Sequence, residues 1–182
     1  EGATTLGVRL GQPLRWPLGC EPAHLEQRRV GSLQRRGKYL WMPLGPRSGQ
    51  AEEDAGGLLL HLGMSGSLAF SRRTDAHGKH DHFELHTSQG LLRLTDPRRF
   101  CAVVWSAAQD AAPASTLLSR LGAEPFDESF TAKQFHAALR RRRVALKMAQ
   151  LGGDIVVGAG NIYACEALFA AGIDPRLRCD RL

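Results

Sequence analysis

The sequence predicts an α+β protein: an antiparallel β-sandwich domain first, a helical domain after it. Three observations carry that expectation. Up to Trp105, short apolar runs alternate with Gly-containing and polar turns, the spacing of a sandwich or barrel-like layer pair. From Phe130 onward, helix start and stop signals appear instead. The change of character falls between Ala107 and Ser119, so the domains are drawn at residues 1–112 and 113–182.

The expected strands, in order, are Leu6–Leu10, Leu58–Leu62, Ser67–Phe70, Phe83–His86, Leu91–Leu94 and Ala102–Trp105. Ser88-Gln89-Gly90 between two of these runs reads as a hairpin turn. Gly45–Gly57, rich in Gly, Pro, Ser and acids, reads as a surface loop joining two strands. In the second domain, Thr131-Ala132-Lys133-Gln134 matches a capping box, with Phe130 and Phe135 at the staple positions. That helix is expected to run through Ala138, Leu139 and the arginines toward Met148. A second helix is expected over Ile162–Ala171. Gly172 supplies its left-handed end, Pro175 prevents continuation, and Leu168 and Ile173 make the closing apolar contact.

With 182 residues and 43% apolar content, the chain has material for a packed core. No stretch approaches the roughly 20 consecutive apolar residues of a spanning helix, and no signal segment opens the chain. A soluble, cytoplasmic, monomeric protein with no membrane partner is the expectation. Lys and Arg number 24 against 18 Asp and Glu, a net charge of +6. Basic surface suits a polyanion, because neutralising phosphates releases counterions, although many basic proteins touch no nucleic acid. The clusters Arg35-Arg36, Arg98-Arg99 and Arg140–Arg143 are more pointed than a diffuse excess. Cys20, Cys101, Cys165 and Cys179 form no CxxC pair, so a zinc ribbon or redox motif is not expected, and burial as small hydrophobes is.

Three segments carry chemistry. In His61-Leu62-Gly63-Met64-Ser65-Gly66, a strand runs into a Gly-flanked loop with Met64 at its tip. Met64 either folds back into a core gap or stands out as an apolar wedge for a base stack. In Thr95-Asp96-Pro97-Arg98-Arg99-Phe100, a turn initiator precedes two arginines and a ring. One arginine could fork onto a base edge, its neighbour grip phosphate and Phe100 stack; an exposed charged turn beside a buried Phe is the plainer reading. In Gly158-Ala159-Gly160-Asn161-Ile162-Tyr163, a helix opens from a Gly-containing turn. Its free amides suit an anion, and Asn161 is a candidate cap or phosphate donor.

Together with Lys79-His80-Asp81-His82, Leu121-Gly122-Ala123-Glu124-Pro125 and Gln34–Leu40, these segments resemble the bacterial formamidopyrimidine-DNA glycosylases in order and spacing. The TDPRRF form is closer to that branch than to endonuclease VIII. The resemblance implies a base-excision enzyme that flips oxidised purines (8-oxoguanine, formamidopyrimidines) out of double-stranded DNA, hydrolyses the N-glycosidic bond and cuts at abasic sites through a Schiff base. It places Met64, Arg98 and Phe100 in the void left by the flipped nucleotide, with the arginine facing the orphaned cytosine. Lys38 matches a catalytic-site lysine reaching the lesion and its phosphates. His61, His80, Arg99, Arg142 and Asn161 match phosphate contacts.

The same resemblance implies an amino-terminal Pro-Glu that supplies the nucleophile, and a four-cysteine zinc finger. The chain begins Glu1-Gly2-Ala3 and ends at Leu182, so the expectation is a sequence short of both, with no metal of its own and a non-catalytic damaged-DNA-binding fragment as the alternative. Borohydride trapping on abasic DNA is then expected to give no adduct through that proline. Poor behaviour in isolation, with Leu168 and Phe169 partly uncovered, is expected too. Cys101 stands where the family has a small Gly, and the Gly45–Gly57 loop is longer than usual. Two rivals from other classes are a metal site on His77, His80, His82 and His86, and a basic β-plus-α protein of unrelated function.

Overall fold

The computed structural model describes residues 1–47 and 49–182 and divides them into two compact units. The first comprises Glu1–Arg35 and Tyr39–Leu117, the second Arg36–Lys38 and Leu118–Leu182.

The first unit is built from β1 (Thr5–Leu10), β2 (Arg28–Val30), β3 (Gln34–Arg36), β4 (Tyr39–Arg47), β5 (Gly56–His61), β6 (Ser67–Ser71), β7 (Asp81–Thr87), β8 (Gly90–Thr95) and β9 (Ala102–Ser106), followed by the short α1 (Ala114–Leu118). Two antiparallel sheets result. One runs β1-β7-β8-β6; the other runs β2-β4-β5-β9, with β3 paired to β4. Their inner faces share one core, in which Phe83, Leu85 and Leu94 of the first sheet meet Met42, Leu44, Leu58, Leu60 and Val103 of the second. Leu59 belongs to a different row: it pairs with Trp41 on one side and Val104 on the other, and all three are buried. Burial on both faces explains why the β5 segment reads as a continuous leucine run and not as an alternation.

All six expected strands are present. Three more, β2 to β4, escaped the pattern reading. Pro43 and Pro46 argue against a strand, yet β4 continues through both. Its register against β2 slips between the pairs Arg28↔Arg47 and Val30↔Leu44, so the extra residue on β4 makes a bulge at Gly45 and Pro46, where a missing N–H is tolerated. The expected Gly45–Gly57 loop is correspondingly shorter, interrupted by a 3₁₀ turn at Glu52–Asp54; Ser48 lies outside the described residues. The β7–β8 hairpin closes at Thr87↔Gly90, as the Ser-Gln-Gly signal indicated.

Arg28, on β2 of the second sheet, is fully buried. Its guanidinium donates to the backbone oxygens of His24 (2.6 Å) and Gly45 (3.1 Å), pairs with Asp54 at 3.0 Å, and lies 4.9 Å from the Trp105 ring. On the other sheet Glu84 is held between Arg9 and Arg93 across adjacent strands, Arg93 Nε lying 2.6 Å from its carboxylate.

The second unit contains α2 (Ala132–Arg140), α3 (Leu146–Leu151) and α4 (Asn161–Ala170). The capping box is formed: the Gln134 amide donates to Thr131 Oγ1 at 3.3 Å, and the Thr131 amide donates to Gln134 Oε1 at 2.8 Å. The Phe130 and Phe135 rings meet at 5.8 Å. The helix does not reach Met148 as expected. It stops at Arg140, because the backbone of Val144 and Leu146 bonds that of Cys179 (3.0 Å) and Leu177 (2.8 Å) instead of continuing the helical ladder. At the end of α4, Gly172 adopts φ +66°, and the amides of Gly172 and Ile173 close onto the carbonyls of Phe169 and Leu168, both bonds of a Schellman motif. Leu168 is buried with Leu139, Leu146 and Cys179, against the expectation that it would be partly uncovered; Phe169, one position along the helix, is exposed.

Candidate nucleic-acid interface

In the first unit, the loop after β5 and the turn after β8 meet around one carboxylate. Asp96 is fully buried. It accepts from Ser65 Oγ (2.6 Å), from the Arg98 amide (3.1 Å) and from the Cys101 amide (2.8 Å). Its own amide donates to the His80 carbonyl at 2.9 Å. Burial pushes its pKa up, but the hydrogen bonds from Ser65, Cys101 and Arg98 outweigh that, and the carboxyl titrates well below the usual range. Cys101 Sγ contacts the Leu62 carbonyl at 3.0 Å; burial, then the neighbouring Asp96, push this thiol up to about 12, so it stays protonated and structural.

Local backbone geometry makes the approach possible. Gly63 has φ +59°, and a Cβ there would sit 2.9 Å from the Phe100 backbone. The glycine therefore lets the loop lie directly on the turn. Arg99 is left-handed at φ +57°, an uncommon state for a side-chain-bearing residue, and its amide closes the turn onto the Asp96 carbonyl at 3.3 Å.

The consequence is an apex carrying four outward side chains. Met64 is 79% exposed, so it does not fill a core gap. Phe100 is 45% exposed, with the Arg98 guanidinium 5.2 Å from its ring centre. Arg98 and Arg99 are exposed. Beside the turn lies an open cleft of about 380 Å³ lined by Pro13, Leu14, Arg15, Arg98, Arg99 and Phe100. His61 accepts from the Gly63 amide through Nδ1 at 3.1 Å, which leaves its neutral-form proton on Nε2, and its ring lies 4.7 Å from that of Tyr39. His80 is half-buried at the edge of the same turn.

The second unit gathers a different set. Glu124 accepts from Arg36 Nη1 (2.6 Å) and from the Gly37 amide (2.8 Å), while Arg36 also donates to the Leu121 and Gly122 carbonyls. This pins the Arg36–Lys38 turn. Lys38 Nζ then donates to the Ala159 carbonyl at 2.8 Å, in the turn that opens α4. Asn161 is exposed at the first position of that helix. It is not the cap, which is Gly160 with no side-chain bond. Arg142 pairs with Asp154 at 2.7 Å.

Sequence reasoning missed Ser65, Asp96, Arg15 and Glu124. The Asp-Pro turn signal marked Asp96 as a turn residue, but nothing local reveals that its carboxylate collects donors from two separated segments. The histidine-rich stretch forms no metal centre: among the described residues no three His, Cys, Asp or Glu side chains are grouped to hold an ion. His82 is buried with neither ring nitrogen hydrogen-bonded, at a distance of 6.4 Å from the His80 ring. The four cysteines are separate and free, so the residues present do not fit a structural zinc. Among the described residues no helix is long and apolar enough to cross a membrane.

A sandwich bearing an apolar and cationic apex, joined in sequence to a helical unit with a Gly-opened helix start, has the surface features of a nucleic-acid-binding protein. Comparison with known proteins gives the family. Residues 2–103 match the formamidopyrimidine-DNA glycosylase N-terminal domain, and residues 121–182 match the formamidopyrimidine-DNA glycosylase H2TH domain. The formamidopyrimidine-DNA glycosylase of Albidiferax ferrireducens is 54% identical over 181 residues, covering 100% of this chain and 64% of the relative. That of an Acidovorax species is 56% identical over 178 residues, covering 98% and 62%. A solved structure of MutM in complex with DNA containing carbocyclic 8-oxo-G superposes with a TM-score of 0.85 at 29% identity, covering 100% of this chain and 65% of the other. The Lactococcus lactis enzyme bound non-covalently to abasic-site DNA gives 0.84 at 28%, covering 100% and 67%. The chain belongs to the formamidopyrimidine-DNA glycosylase family and spans a little under two thirds of the length of these two curated relatives.

Proposed function

We propose that this protein serves base-excision repair: it recognises double-stranded DNA carrying an oxidised purine or an abasic site and holds it open for removal of the base and scission of the strand. The observation that carries this is the apex. Met64, Arg98 and Phe100 stand exposed around one buried carboxylate, although two of the three are apolar and would ordinarily be inside. Exposed apolar side chains beside arginines suit insertion into a stack whose phosphates are gripped nearby. Flipping a nucleotide costs a few kcal/mol of stacking and pairing, and side chains that fill the vacancy offset it.

Arg98 faces the base left without a partner. Arg99, His61 and His80 take phosphates in the first unit; Arg142 and Asn161 do so in the second, where Lys38 reaches the lesion. Bond cleavage through a Schiff base falls, in this family, to an amino-terminal proline, and structural zinc to a cysteine finger; the work assigned to the residues here is recognition. The test is a binding titration of the 182-residue chain against matched duplexes. A duplex with an abasic analogue opposite cytosine should bind about tenfold or more tighter than the intact one. Affinity should fall steeply with added salt, as several phosphate contacts require. Equal affinity for both duplexes defeats the proposal.

A further inference from the structure

Ser65 stands between the buried carboxylate and the reading arginine. Its hydroxyl donates to Asp96 Oδ1 at 2.6 Å and accepts from Arg98 Nε at 3.1 Å. Asp96 is ionised and so accepts only. That fixes the single hydroxyl proton of Ser65 on the carboxylate and turns its lone pairs toward Arg98. The arginine is restrained twice more, by its amide bond to Asp96 at 3.1 Å and by the Phe100 ring 5.2 Å from its guanidinium carbon.

A guanidinium offers two forked edges: the side edge, through Nε and one Nη, and the end edge, through both Nη atoms. With Nε committed to Ser65, only the end edge remains for a bidentate partner. On the Watson–Crick edge of an unpaired base, two adjacent acceptors occur in cytosine, at O2 and N3. Adenine sets a donor beside its acceptor, and guanine and thymine place an N–H next to their carbonyls. We infer that Ser65 is a specificity-determining residue: by holding Nε it presents Arg98 end-on and sets the preference for cytosine opposite the lesion. The inference rests on the reading above, in which Arg98 faces the orphaned base.

The experiment measures Kd of the 182-residue chain for four duplexes, each with an abasic analogue opposite cytosine, adenine, guanine or thymine. The unmodified chain should prefer cytosine over adenine by about tenfold, the discrimination of a good bidentate contact. Ser65→Ala should draw the four affinities together to within about threefold, because the guanidinium, no longer held at Nε, loses the fixed placement that aligns its end edge with O2 and N3. Ser65→Thr, which keeps the hydroxyl, should retain the order. Arg98→Lys, which leaves Ser65 and Asp96 in place, should flatten the preference alone, and adding Ser65→Ala to it should change nothing further. A Ser65→Ala chain that keeps the tenfold preference, or loses affinity equally for all four duplexes, overturns the inference. So does an Arg98→Lys chain that still prefers cytosine. An unmodified chain that favours abasic over intact DNA but ignores the opposite base overturns the inference alone. One that binds intact and abasic DNA alike overturns the underlying reading with it.

Discussion

The two glycine-flanked loops of this protein, residues 63–66 in the sandwich and residues 158–160 in the helical unit, are held differently: a carboxylate grips the first directly, while the second is met by Lys38, whose own turn a carboxylate fixes. Asp96 is fully buried and collects a hydroxyl and two amides. Glu124 leaves 40% of its side chain exposed, and fixes the Lys38 turn through Arg36 and one amide. Water competes for the second carboxylate and not for the first. A buried hub therefore makes a rigid apex suited to being driven into a base stack, while a half-exposed ion pair makes a looser hold suited to following a phosphate.

The comparison is sharpened first by removing the buried hub. Asp96→Ala leaves three donors without an acceptor in the interior and should cost about 3 kcal/mol or more, read as a lowered urea midpoint at unchanged slope. A loss under about 1 kcal/mol would mean that water reaches the site and that the two anchors are alike. Next in size is Arg98→Ala, expected to weaken binding to an abasic duplex by about 1–3 kcal/mol with little change in the melt. An equal loss of stability would assign the arginine to the fold. Thr131→Ala removes one half of the capping box and should cost about 1 kcal/mol of stability without altering lesion preference. Smallest is Glu124→Gln, for which about 0.5–1 kcal/mol is expected, with the effect shrinking in high salt; a larger, salt-independent loss would make this anchor as firm as Asp96.

Acid probes the buried carboxylates of the sandwich without mutation. Burial raises the carboxyls of Asp81, Glu84 and Asp96. Hydrogen bonds outweigh it, from Thr95 and Gly78 to Asp81, from Arg9 and Arg93 to Glu84, and from Ser65, Cys101 and Arg98 to Asp96, so all three titrate below their ordinary values. A depressed carboxylate contributes stability that is complete above the ordinary range, near pH 4, and is lost as pH falls through the lower folded value. Chemical-denaturation midpoints measured from pH 7 to pH 2 should therefore hold steady to about pH 5 and decline below about pH 4. Loss beginning above pH 6 would point to a histidine instead.

Much of the architecture was legible locally. The apolar runs of six strands, the Ser-Gln-Gly hairpin, the Thr131–Gln134 box and the Gly172 stop each follow from short-range rules, because a turn or a cap is satisfied by its own neighbours. β4 was not, since Pro46 is accommodated by the bulge against β2, which its own propensity does not signal. Nor was the end of α2, where pairing of Val144 and Leu146 with the 177–179 segment outcompetes a run of good helix formers. The motifs placed the candidate site, but left Met64 open between core and wedge and said nothing of what held it.

The Arg98-Arg99-Phe100 turn shows where the division lies. Its residue types and the Asp-Pro initiator are written in the chain, and so are two arginines and a ring just past a strand. That Phe100 and Met64 share one apex depends on Gly63 lying against the Phe100 backbone, and on a carboxylate that draws Ser65 from 31 positions away. A long-range hydrogen bond has no period and no local signature; only closure of the sandwich brings its partners within reach and excludes the water that would weaken it.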